Sequence, residues 1–450
     1  MMNWQKVKLG DFLTARVDRF KPDDKEIIGL KRIDKIDFSG NIYLSEKISN
    51  TDMILVKKGD LIISGINVCK GAMSVYQGDS DVTATIHYSS YKFDPNRIDI
   101  EFLKYFLRSS KFKQTLIEQV SGGIKTEINP KHLLPLIVEI PSSVKEQRFL
   151  VNKLSNKTLQ IDTLFSEQSH QFYLLKKIRQ QVLTDAIQGR LTADWRKQNP
   201  KVESAVELLK RIKIEKKQLV IDKKIKKEKP LLAISEKEMA FELPKGWVWC
   251  RLGEILSFGP VNGYSPKESK KGKGIKCLTL TATTSGIFKK EHYKYVDELI
   301  PFDSYLWLVE NDILLQRGNS IDYVGIAALY EGDTNKFIFP DLMIKIQVSM
   351  FLSSKYIHQV LNSPFNRKYY ATNASGTQKS MPKINQGVVL NTLIPLPPLL
   401  EQQAIVEKVE TLLEKCNLLQ KEIEKQNNYS KDLLKAVFNE TFGDRQGIYE

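Results

Sequence analysis

The chain lacks several things, and each absence removes a class of function. Its four cysteines, Cys69, Cys250, Cys277 and Cys416, stand far apart with no CxxC pair. That excludes a disulfide framework and a cysteine-built metal centre, and it suits a reduced cytoplasm. The five histidines form no ligand cluster, so no metal site is expected. No apolar run approaches the ~20 residues of a membrane span. The opening Met1-Met2-Asn3-Trp4-Gln5-Lys6 lacks the apolar segment of a signal peptide. No GxxxxGK[ST] loop is present for ATP, and Gly272-Lys273-Gly274 is an isolated GxG in a lysine-rich loop. Asn362-Ser363-Pro364-Phe365 has the outline of an amino-methyltransferase motif, but no glycine-rich turn after an apolar strand accompanies it. It reads as a helix cap. Pro340-Asp341 opens no nuclease cluster, because the next acidic residue is Glu401. No catalytic residue is nominated.

Acidic residues are also missing from Leu342 to Leu400, where Lys345, Lys355, Arg367, Lys368, Lys379 and Lys383 occur. A solvated surface normally mixes both signs. With a formal charge of +15 overall, this asymmetry points to a polyanionic partner. The 450 residues exceed one ordinary core, so two or more domains are expected.

What is present is organised around two long helical stretches. Ile405, Val409, Leu412, Cys416, Leu419 and Ile423 alternate spacings of four and three, the seam of a coiled coil. Ile394-Pro395-Leu396-Pro397-Pro398 forbids helix just before it. An earlier copy begins at Ile140-Pro141-Ser142-Ser143 and Lys145-Glu146-Gln147, with Leu154, Ile161, Phe165 and Phe172 on its seam and Gly189 as its stop. Some 40 residues of helix span about 60 Å and need a partner along their length. The second copy is that partner.

Before each helix lies a mixed module of short strands and a packed helix, the first with a helix over 100–120. Asp60-Leu61-Ile62-Ile63 matches Asp312-Ile313-Leu314-Leu315. Gly71, Tyr76, Gly78 and Asp79 match Gly325, Tyr330, Gly332 and Asp333. Ser121-Gly122 and Lys125 match Ser375-Gly376 and Lys379, and Glu146-Gln147 matches Glu401-Gln402. Matches in one order at nearly constant offset identify a tandem duplication. Between the copies, Asn199 to Met239 is lysine-rich and reads as a solvated, mobile linker helix patterned on Val206, Leu209 and Ile212.

Duplicated modules with differing sequences suit a two-part duplex site with unlike halves. The candidate base- and phosphate-contacting residues lie in polar loops. They are Gly122, Gly123, Lys125 and Thr126 in the first module, with Ser64, Asn67 and Lys70. In the second they are Gly376, Thr377, Gln378, Lys379 and Ser380, with Lys270, Lys271, Lys273, Arg317, Asn319 and Tyr323. Small residues permit close backbone approach, while Lys, Arg, Asn and Gln pair with phosphates or base edges. The bland alternative for each is a surface turn.

Three motifs carry a family resemblance: Ile394-Pro395-Leu396-Pro397-Pro398-Leu399-Leu400-Glu401-Gln402, Gly189-Arg190-Leu191-Thr192-Ala193-Asp194-Trp195-Arg196, and Leu243-Pro244-Lys245-Gly246-Trp247 with Arg251-Leu252-Gly253-Glu254-Ile255. Through them the chain resembles the specificity subunit of type I restriction-modification systems. The first hinge departs from the pattern, having Ser142-Ser143 where paired prolines are usual. The resemblance implies an α+β fold with two target-recognition domains in tandem, joined by two long antiparallel coiled-coil helices with pseudo-two-fold symmetry. The expected divisions are 1–141 and 242–396 for the domains, 142–190 and 397–442 for the helices, 191–241 for the basic linker and 443–450 for a tail. It further implies a non-catalytic, cytoplasmic DNA-binding subunit that needs no cofactor of its own. Two adenine-methyltransferase subunits and motor-nuclease subunits would bring adenosylmethionine, ATP and magnesium. The competing reading is a coiled-coil scaffold without sequence-specific DNA binding.

Overall fold

The computed structural model describes residues 2–38, 40–46, 50–121, 127–223, 225, 230–376 and 381–442. The fold is α+β and divides into two units, Met1–Gln171 with Ile423–Glu450, and Phe172–Glu422.

In the first unit the strand Trp4–Lys8 pairs antiparallel with Ile137–Pro141, so the start of the domain lies beside the hinge that ends it. A four-stranded sheet follows the order Leu13–Ala15, Tyr88–Phe93, Leu61–Ser64, Met73–Val75. A five-stranded sheet has the order Arg19–Phe20, Met53–Val56, Val82–Thr85, Arg32–Ile36, Ile42–Ser45. The turn Lys57–Asp60 joins these sheets, with Gly59 at φ 87°, a left-handed conformation that glycine adopts without a Cβ penalty. Ile27–Leu30 forms a turn.

The helix expected over 100–120 is two helices, Ile100–Arg108 and Ser110–Gln119. Ser109 breaks them: its hydroxyl donates to the Phe106 carbonyl (2.6 Å) and accepts from the Phe112 N–H (3.2 Å). A serine that satisfies backbone at the end of one helix and the start of the next ends the continuous run.

The second unit repeats this plan. Val248–Arg251 pairs with Leu393–Leu396, and a four-stranded sheet has the order Leu256–Asn262, Met343–Val348, Ile313–Gln316, Ala327–Leu329. Ser363 breaks Ser354–Leu361 from Pro364–Asn373 as Ser109 does, donating to the Val360 carbonyl at 2.7 Å. Asn362, Ser363 and Pro364 are thereby a cap. The other sheet differs from its counterpart, with only three strands, Tyr293–Val296, Ile275–Leu278 and Phe337–Ile338.

The two long helices, Val144–Ile187 and Leu399–Phe442, have 44 residues each. Within each unit their segments run antiparallel. In the first, Lys153 and Lys157 reach Glu440 at 3.2 and 2.7 Å, and Gln168 donates to Ser430 at 3.0 Å. In the second, Arg179 donates to Asn417 and Gln420 at 2.8 and 3.1 Å. Leu154, Ile161, Ile405, Val409, Cys416 and Ile423 are buried on the seam, and Phe165, Phe172 and Leu412 are half-buried.

Leu419 is a correction: it is 55% exposed. Four residues beyond Cys416 the seam takes Gln420, which accepts from Arg179. A polar residue at a seam position costs stability and fixes register.

The linker helix Ala205–Ile221 is also a correction. Ala205, Leu208 and Ile212 are fully buried against the second domain, while Val206 faces out. Lys216 donates to the Gly253 carbonyl, Lys213 pairs with Glu254 at 3.2 Å, and Arg211 stacks 4.7 Å from the Phe351 ring. The lysines that suggested a solvated helix border its docked face.

Candidate nucleic-acid interface

Each domain presents its candidate loops from a shared skeleton. The Gln of each Glu-Gln pair is fully buried. Gln147 accepts from the Asp99 N–H (2.7 Å) and donates to the Pro141 carbonyl (3.0 Å). Gln402 accepts from the Ser353 N–H (3.0 Å) and donates to the Pro397 carbonyl (3.0 Å). Asp99 and Ser353 cap the first domain helix in their respective units. One amide therefore ties the domain helix to the hinge of the long helix, twice.

The Asp60 and Asp312 turns are equally parallel. Asp60 accepts from the Lys57 N–H and Asp312 from the Val309 N–H, both at 2.9 Å. Their partners differ. Asp60 binds Arg16 (2.5 Å) and Ser90 (2.8 Å), whereas Asp312 faces Lys345 (3.5 Å) and Gln347 (2.7 Å). Burial pushes the Asp312 carboxyl up and the Lys345 ammonium down, and their mutual attraction opposes both shifts.

Lys345 thus leaves the acid-free stretch as an internal ion-pair partner. Lys355 pairs with Glu410 at 2.8 Å, and Arg367 donates to the Val324 and Asp322 carbonyls at 2.6 and 2.9 Å. Lys368 and Lys383 are exposed. Two cations of that run, Lys345 and Lys355, therefore neutralise the protein's own carboxylates.

Two nominated segments converge in each domain. The Gly65 carbonyl accepts from the Ile128 N–H at 3.0 Å, which docks the end of the 121–128 loop beside Ser64 and Asn67. A methyl group at Gly65 would lie 2.7 Å from the Ile128 carbonyl oxygen, so only glycine allows this approach. In the second domain the Arg317 carbonyl accepts from the Ile384 N–H (2.8 Å), and Ser375 and Lys383 exchange backbone hydrogen bonds at 2.9 Å. The base of the 375–383 loop therefore sits beside Arg317 and Asn319.

Ser64 is buried at a strand end, Asn67 is half-buried, and Lys70 is exposed over the Phe38 ring at 5.6 Å. Asn319 donates to Gln316 (2.6 Å), Arg317 donates to the Asp341 carbonyl (3.4 Å), and Tyr323 is exposed. Lys270, Lys271 and Lys273 are exposed in the 263–274 loop, and no hydrogen bond or bridge among the described residues joins them to the Arg317 cluster. Gly376 is exposed at φ 137°. Gly122, Gly123, Lys125, Thr126, Thr377, Gln378, Lys379 and Ser380 lie outside the described residues. No group of three or more His, Cys, Asp or Glu among the described residues is placed to hold a metal, and no described helix is long and apolar enough to cross a membrane.

The three motifs of the resemblance meet on Glu401. Its buried carboxylate accepts from Arg196 (2.5 Å), Thr192 (2.7 Å) and the Trp247 indole (2.8 Å). Residues 244–427, which hold this junction's Trp247 and Glu401, match the family model of the type I restriction modification DNA specificity domain. That match covers the second domain and part of the long helix that follows it. The chain is similar to the type I restriction enzyme EcoAI specificity subunit of Escherichia coli, 35% identical over 268 residues, covering 57% of this chain and 42% of that one. Likewise it is 32% identical over 270 residues to the EcoEI specificity subunit of Escherichia coli, covering 58% of this chain and 44% of the relative. The chain therefore spans less than half the length of these two relatives. A solved chain of a type I restriction-modification system shares the fold, with TM-score 0.59 and 14% identity over 98% of both chains.

Sequence reading missed Gly65 as a docking point of the first loop. A glycine directly after an apolar strand was the available signal. The pairing of each loop with a segment some sixty residues away had none.

Proposed function

We propose that this chain is the non-catalytic specificity subunit of a type I restriction-modification complex, reading a two-part asymmetric duplex site. Each domain reads one half-site through its paired loops. Two adenine-methyltransferase subunits and motor-nuclease subunits supply methylation or ATP-dependent cleavage, and with them adenosylmethionine, ATP and magnesium. A reduced cytoplasm is where such a complex works. The observation that carries the reading is the repeated docking of polar loops at equivalent strand ends, Gly65 with Ile128 and Arg317 with Ile384, in a chain whose residues 244–427 match the specificity-domain model. Loops presented on a rigid sheet, with small residues at the closest approach, suit groove contact.

Sequencing modified bases in cells with and without the gene tests this directly. One two-part adenine-methylated motif should appear only when the gene is present. An unchanged methylation pattern would favour a scaffold instead. Because the long helices pair within each unit, a spacer test needs matched insertions. Seven residues added to both helices should lengthen the gap and leave both half-sites intact; changed half-sites with an unchanged gap would remove the helices as the ruler.

A further inference from the structure

The corner around Gly71 in the first domain gathers three segments. Gly71 ends the Val68–Lys70 turn at φ 96°. A methyl group there would stand 2.8 Å from the Phe38 carbonyl oxygen and 2.7 Å from Arg108 Nε. Phe38 is at the tip of the hairpin formed by Arg32–Ile36 and Ile42–Ser45, and Arg108 ends the helix Ile100–Arg108. The Phe38 ring is 52% exposed beneath the Lys70 ammonium.

Neither Lys70 nor Arg108 has a carboxylate partner among the described residues. Asp37, the residue before Phe38, accepts within the hairpin from Asn41 N–H (2.8 Å), Asn41 Nδ2 (2.9 Å) and the Tyr43 hydroxyl (3.1 Å). Nucleotides combine an apolar base face with an anionic phosphate, and an exposed ring near two cations that no described carboxylate neutralises matches both.

The second domain closes the same place. A methyl group at Gly325 would meet the fully buried Tyr370 ring at 2.5 Å, and the cation at that turn, Arg367, is held by two carbonyls.

We infer that Phe38, Lys70 and Arg108 form a nucleotide-contacting corner peculiar to the first domain, the ring meeting a base and the cations its flanking phosphates. The inference rests on the specificity-subunit reading and adds to the nominated Lys70 two residues outside the paired loops, Phe38 and Arg108.

The test uses the full chain co-expressed with the methyltransferase subunits of its own system. Modified-base sequencing is combined with binding of a duplex carrying the wild-type motif across salt concentrations. Phe38→Ala should lose about tenfold discrimination at one base pair of one half-site, with the other half-site, the gap and the melting temperature unchanged. Phe38→Tyr should retain discrimination. Lys70→Ala and Arg108→Gln should weaken binding to all sequences, each lowering the salt slope by about one. Phe38→Ala with motif and affinity intact would overturn the inference. So would relaxation of both half-sites together with a lowered melting temperature, the signature of lost packing. A wild-type chain that yields no motif would overturn the parent reading as well, and that failure is visible without any variant.

Discussion

The two domains agree close to the long helices and differ away from them. Gln147 and Gln402 make the same pair of hydrogen bonds, Ser109 and Ser363 break the same helices, and both Asp turns close at 2.9 Å. Beyond the four-stranded sheets, five strands stand against three. The Gly71 corner is open where the Gly325 corner is filled. Groups that fix a domain to its hinge have one geometry to satisfy, so both copies keep them. Surfaces that meet different partners carry no such constraint. Even the shared Glu-Gln pair shows the boundary: Glu401 is buried under Arg196, Thr192 and Trp247, while Glu146 is only half-buried, accepting from the Asn3 N–H at 3.2 Å.

That last contrast gives the largest expected effect. Glu401→Ala should destabilise the second domain by about 3 kcal/mol, because Arg196 and the Trp247 indole lose their acceptor. Glu146→Ala should cost far less. Separate hydrogen-exchange protection of the two units would measure both, and equal losses would erase the distinction.

A smaller effect sharpens the likeness. Gln147→Ala and Gln402→Ala should each cost about 1–3 kcal/mol, since each leaves a buried N–H and carbonyl unpaired. Denaturant midpoints would check this. If only one variant suffered, the two amides would not be equivalent.

The smallest effect concerns the first unit alone. Hydrogen bonds from Lys157 and Lys153, with their charges, hold the Glu440 carboxyl below its ordinary value. A carboxylate with a depressed folded-state pKa contributes stability above its unfolded pKa and loses it as pH falls through the folded one. Glu440→Gln should therefore lower the melting temperature slightly at neutral pH, and the difference should vanish in acid. A gap that persisted in acid would point to packing rather than charge.

The coiled-coil seam was legible because a 3.5-residue period survives in sequence, yet the period alone does not choose between Leu419 and Gln420. Arg179, on the other helix, makes that choice. The linker helix was misread for a related reason. Its lysines dominate the composition, while Ala205, Leu208 and Ile212, a short apolar face, decide where it docks. The acid-free run overstated the surface charge, since the partners of Lys345 and Lys355 lie at Asp312 and Glu410, outside it.

The duplication, the long helices, the proline-marked hinge at Ile394–Pro398 and the family resemblance were set by sequence alone, because local periodicity and collinear motifs do not depend on folding. Tertiary structure alone decided that the three motifs converge on one carboxylate, that each loop docks at Gly65 or Arg317, and that Phe38, Lys70 and Arg108 share a corner. Those outcomes depend on desolvation and close approach between residues distant in the chain, and linear spacing carries neither.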